Sequence, residues 1–189
     1  MYKKINHDSF IVNRSGAVIV ELVFVVFIMT LLIKILVAVT TYQSTVGKLD
    51  RISYSIAGIV RERGELYGGD NKLAQIQVEE LKRLADKMLL NSGIKNNNLA
   101  ITIETLHFDP TASGVKDIDN QKTLVYSIGA CQPIRPLYEM MELSPYANTD
   151  RWIPLYQVTL CLPTAPWYNT LFNGGAELSI KSSAVTIER

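Results

Sequence analysis

Hydrophobic and polar positions follow three regimes along the chain. From Ala17 to Val39 the sequence is almost wholly apolar, and its two charges are Glu21 and Lys34. A run of this length crosses a bilayer as a helix at ~1.5 Å of rise per residue. The pattern then turns amphipathic. Val46, Leu49, Ile52, Ile56, Ile59 and Val60 recur at three- and four-residue steps, while Lys48, Asp50, Arg51, Ser53, Ser55, Arg61 and Glu62 take the other face. The spacing predicts one helix from Ala17 to about Leu66, roughly 50 residues and ~75 Å, half in lipid and half packed on a soluble domain. Gly47, Gly58 and Gly64 weaken it locally, and Gly68-Gly69 ends it.

A second helix is capped by Asp70 or Asn71 and carries Leu73, Ile76, Leu81, Leu84, Ala85, Met88 and Leu89 at helical spacing. Glu79 and Arg83 stand four apart in the favourable order, and Asn91-Ser92-Gly93 is its stop. The period then changes to two. Leu99 to Leu106 alternates and is rich in β-branched residues, as a strand should be. Lys122 to Ile128 and Tyr156 to Leu162 are further strands, and Ala176 to Ile187 is a fourth, with a break near Ser182. Asp109 to Gln121 and Ala165 to Gly175 are loops. Helix first and strands after predict an α+β fold, an antiparallel sheet packed on the long helix. Six of the seven prolines lie between Pro133 and Pro166, among Tyr138, Tyr146, Trp152, Tyr156 and Trp167. Proline excludes long regular elements there, and the aromatic residues make it an ordered loop region, with Trp152, Trp167 and Tyr168 expected in the core.

Charge adds orientation. Of 19 basic and 18 acidic residues, the segment 1–16 takes Lys3, Lys4, Arg14 and Asp8, leaving 16 against 17. No basic stripe exists for nucleic acid. The positive residues ahead of the stem place the N-terminus in the cytoplasm. A cleaved signal peptide would have a shorter apolar core of ~7–15 residues, and a plain uncleaved anchor would have no use for Glu21. A carboxylate near the head of a membrane helix costs roughly 2–3 kcal/mol unless partnered.

Arg14-x-Gly16, the carboxylate Glu21 five positions on, and the apolar stem together resemble the processing site of a type IV prepilin. Within that superfamily the chain most resembles the minor pilins and pseudopilins of the tight adherence (Tad/Flp) pilus, the TadE/TadF type. Its final segment, Ser182 to Arg189, is similar to the way those proteins end. The resemblance implies cleavage by a prepilin peptidase between Gly16 and Ala17, and an assembly role for Glu21, paired with the N-terminal amine of a neighbouring subunit. It implies other pilins and inner-membrane pilus assembly proteins as partners, and a role in pilus biogenesis, adhesion and biofilm formation. The expected organisation is a cytoplasmic leader at 1–16, a transmembrane stem at 17–39 in the inner membrane and a periplasmic α+β domain at 40–189. The alternative is an uncleaved, membrane-anchored periplasmic binding domain.

On the outer side of a membrane two cysteines usually pair, so Cys131 and Cys161 are expected to form a disulfide; the alternative is two buried thiols. Neither Cys-x-x-Cys nor a histidine cluster is present, so no zinc site is expected. Asp109, Asp117, Asp119 and Asn120 gather hard oxygen donors of the kind calcium takes, but their spacing matches no cage and a solvated loop is expected. His107 ends a strand and is expected at the surface. Lys34 is expected to snorkel toward the outer headgroups. Hydrolase, nucleotide-binding and metalloprotease motifs are absent from the sequence, so neither an enzyme nor a cofactor is expected.

Overall fold

The computed structural model describes residues 14–62, 73–95, 98–109, 115–148, 150–164 and 178–188. The elements run α1 (Arg14–Arg61), α2 (Gln75–Asn91), β1 (Ala100–Leu106), β2 (Leu124–Ile128), a 3-10 helix at Leu137–Leu143, β3 (Leu155–Thr164) and β4 (Leu178–Ile187). This is the expected α+β layout. The chain divides into two units, Met1–Gln43 and Ser44–Arg189. The expected Gly68-Gly69 stop, the Asp70 or Asn71 cap, Trp167 and Tyr168 lie outside the described residues.

In the second unit the sheet has the order β2-β1-β3-β4, every pair antiparallel. Alternation sends Ile101, Ile103, Val158, Leu160, Leu162, Ile180 and Ala184 to one face, where they meet Leu49, Ile52, Ile56, Ala57 and Val60 of α1 and Val78, Ala85 and Leu89 of α2. Each large aliphatic side chain buried here contributes roughly 1.5–3 kcal/mol. Two positions of α1 differ from the expected stripe. Ile59 is 39% exposed, whereas Ser53, assigned to the polar face, is fully buried. Strand β4 is also unbroken at Ser182. β4 is held by its unbroken pairing with β3, and the Ser53 and Ser182 hydroxyls bond to each other between helix and sheet.

Helix α2 starts at Gln75, where the Gln77 carboxamide accepts the Ala74 N–H at 2.9 Å. It stops at Ser92 and Gly93, the latter at φ +88° where a glycine is favoured. Among the described residues its ion pair is Lys82–Asp86 at 2.8 Å, and Glu79 and Arg83 do not pair. Gly129, after β2, is a second required glycine: its φ is +85°, and a Cβ would stand 2.8 Å from the Ala100 Cβ.

The opposite face of the sheet is covered as well. β1 is buried along its whole length, so Thr102 and Glu104 need partners despite lying away from the helices. The proline-rich segment supplies them. The Thr102 hydroxyl donates to the Cys131 carbonyl at 2.7 Å, and the Gln157 amide donates to the Arg135 carbonyl at 3.1 Å. The Leu137 N–H donates to Glu104 at 3.3 Å. A segment that cannot form a strand thus has its backbone groups satisfied by side chains of β1 and β3. Burial pushes the Glu104 carboxyl above its ordinary range, partly opposed by the Leu137 N–H. Beyond this strap, Leu106, Phe108, Leu137 and Leu155 form a second apolar cluster, with half-buried Trp152 against it.

Candidate assembly site

The first unit contributes α1 from Arg14, and Gly16 and Ala17 lie within that helix. Every side chain from Val18 to Val37 is exposed. A helix apolar on all sides and covered on none is suited to lipid or to other helices, not to water. Among the described residues this is the one helix long and apolar enough to cross a membrane.

Its polar groups fall into two kinds. Thr30 donates its hydroxyl back to the Val26 and Phe27 carbonyls at 3.0 and 2.8 Å. Thr40 bonds the Leu36 and Val37 carbonyls, and Thr41 bonds Val37 at 2.8 Å. These hydroxyls are satisfied within their own helix. Glu21 and Lys34 are the charged groups of the stem, and both are exposed.

In the second unit the structure joins Cys131 to Cys161 in a disulfide, with Cα atoms 5.4 Å apart. It ties the start of the strap to β3, in a small buried cluster with Ala100. The acidic loop is organised by its own groups. Asp119 accepts the Gln121 N–H at 2.9 Å and pairs with Lys122 at 3.7 Å, while Asp117 is exposed. Lys116 donates to the Met141 and Ser144 carbonyls at 2.8 and 2.9 Å and lies 4.4 Å from the Trp152 ring centre. A lysine therefore serves the carboxyl end of the 3-10 helix, where positive charge is favoured. Among the described residues no three His, Cys, Asp or Glu side chains gather as metal ligands would.

His107 corrects the expectation of a surface residue. It is 4% exposed, edge-on to Tyr156 at 5.8 Å between ring centres. Neither ring nitrogen makes a well-formed hydrogen bond; the Lys122 backbone offers only a weak one. Burial, and then the Lys122 charge, lower its pKa to about 4. A neutral ring in the core has no nucleophile to serve, and its role is packing. Sequence reasoning missed it because a lone histidine at a strand end carries no sign of what covers it.

A family model described as "TadF: Putative tight adherence pilin protein F" matches residues 9–189. The chain belongs to the TadF family. Membership makes it a structural, pilin-like component of the tight adherence pilus, and the exposed apolar stem is the anchor such a component needs. No curated protein and no solved structure matches the chain.

Proposed function

We propose that this TadF-family chain is inserted in the inner membrane as a prepilin-like precursor. Prepilin peptidase then cuts it between Gly16 and Ala17, and it works with other pilins and inner-membrane assembly proteins in pilus biogenesis and surface adhesion. The leader 1–16 lies in the cytoplasm, 17–39 spans the membrane and 40–189 forms the periplasmic domain. The observation that carries the reading is the stem: exposed and apolar on every side, with one carboxylate five positions after a glycine. Catalysis is no part of it. The stem offers the surface for packing against other stems. Cleavage creates an amine at Ala17, about one helical turn from Glu21. Amine and carboxylate on adjacent subunits offset each other's desolvation cost.

The mass of the mature chain tests this. Loss of residues 1–16 is expected, and Gly16→Val should leave the full-length chain in the membrane, because a bulky side chain blocks entry of the cleavage segment. A Gly16→Val chain still shortened by the leader's mass would refute cleavage at this position.

A further inference from the structure

The two stem charges are of opposite sign, both are exposed, and they stand thirteen residues apart. On an ideal helix that is ~20 Å along the axis and about 140° around it. The stem therefore carries a negative face and, well round from it and farther along, a positive face. Thr30 and Thr41 lie within about 40° of Lys34, but their hydroxyls are bonded to carbonyls of their own helix and leave Lys34 as the free polar mark there.

We propose that the stem docks a second copy of this chain, with Glu21 of one copy against Lys34 of the next and the copies displaced by ~20 Å along the helix axis. The inference rests on the reading of the chain as an assembling subunit. Copies lying side by side at one depth in a membrane cannot make this contact. Glu21 is then near one interface and Lys34 toward the other, each reaching its own headgroup layer. Displacement brings the charges together among apolar side chains, where each offsets the desolvation cost of the other. Because the two faces differ, the contact is heterologous. Each copy offers a carboxylate to one neighbour and an ammonium to another, and such a contact propagates as an open filament. The amine at Ala17 pairs with Glu21 at small displacement and requires cleavage; the Lys34 contact requires neither.

The test uses the full chain, expressed with its pilus components and oxidised in intact cells, so that copies displaced from the membrane are captured with those still in it. Val25 and Val37 are exposed, each about one turn beyond a charge and on the same side of the proposed contact. Val25→Cys/Val37→Cys should give a ladder of covalent multimers, while Val25→Cys alone and Val37→Cys alone should give no dimer. The native cysteines do not compete, because they are joined to each other. Glu21→Lys or Lys34→Glu added to the pair should weaken the ladder about tenfold, and the two reversals together should restore it to within about twofold. Absence of the ladder with native charges, dimers from Val25→Cys alone, or a ladder indifferent to charge would overturn the proposal. Leader loss and co-fractionation with other pilus proteins are scored on the same samples. If both persist without the ladder, the Lys34 contact falls and the functional reading stands; if both are absent, the functional reading falls.

Discussion

The hydroxyl oxygens of Ser53 on α1 and Ser182 on β4 lie 2.9 Å apart in the buried interface between helix and sheet. Ser53 gives its proton to the Asp50 carbonyl at 2.8 Å. A hydroxyl has one proton, so Ser182 is the donor between them. Ala57 and Ala184 are buried in the same layer, and four small side chains allow the helix close to the strand.

Ser53→Ala leaves the buried Ser182 hydroxyl without its acceptor and should cost about 1–2 kcal/mol; Ser182→Ala leaves Ser53 still bonded to the Asp50 carbonyl and should cost less. Ser53→Ala/Ser182→Ala should cost less than the two single changes combined, because it leaves no orphan. Ser182→Leu should cost more than either alanine, through overpacking. Denaturant unfolding of the four variants checks the order; strict additivity of the alanine pair would mean that the serines are not coupled.

Reduction of Cys131–Cys161, or its replacement by alanines, frees a sequence separation of 30 residues and should destabilise the second unit by roughly 3.5 kcal/mol on the chain-entropy estimate. Alkylation under denaturing, non-reducing conditions should label neither cysteine. Two labelled thiols in mature protein would contradict the bridge.

His107 makes stability fall with acid. Its folded pKa is about 4 against 6.5 in the unfolded chain, so between those values the unfolded state binds the extra proton. The full stability is present above pH 6.5 and is lost as pH falls toward 4, by about 3 kcal/mol in all. Glu104 and Glu188 have pKa values raised by burial and act in the opposite sense. The diagnostic is therefore a difference: His107→Phe should flatten the native chain's pH dependence in this window. Identical pH profiles for the two chains would show that His107 is not buried neutral.

Glu21→Leu should insert at least as well as the native stem, because it removes a charge from an apolar segment. It should nevertheless associate poorly with pilus partners, and Glu21→Gln should be intermediate. Membrane fractionation and co-purification measure the two properties separately; normal association of the leucine variant would reduce Glu21 to an incidental helix-end carboxylate.

The pattern of the chain carried the α+β order and much of the helix-facing core, because those features depend on periodicity. Ile101, Ile103, Val158 and Leu160 announce their face by alternation. Polar residues buried by a later event were not legible. Ser53 looked outward because a hydroxyl counts as polar, yet it is satisfied locally by the Asp50 carbonyl and across the interface by Ser182. Nothing near Thr102, Glu104 and Gln157 in the sequence shows what covers them; a segment beginning some thirty residues beyond Thr102 folds over them. The stem was legible for the opposite reason: a long apolar run stands out wherever the rest of the chain goes.

The strand order has a consequence for a chain made from its N-terminus. β2 can close onto β1 as soon as it is synthesised, but the other flank of β1 waits for β3, and β3 waits for β4. Val158 and Leu160, both fully buried in the finished domain, sit on a strand that has an open edge until Leu178–Ile187 arrives. A nascent or truncated domain lacking that final strand presents an adhesive border to its neighbours. The closing hairpin is thus a completeness check, and quality-control proteases and chaperones would meet the unfinished species at that border.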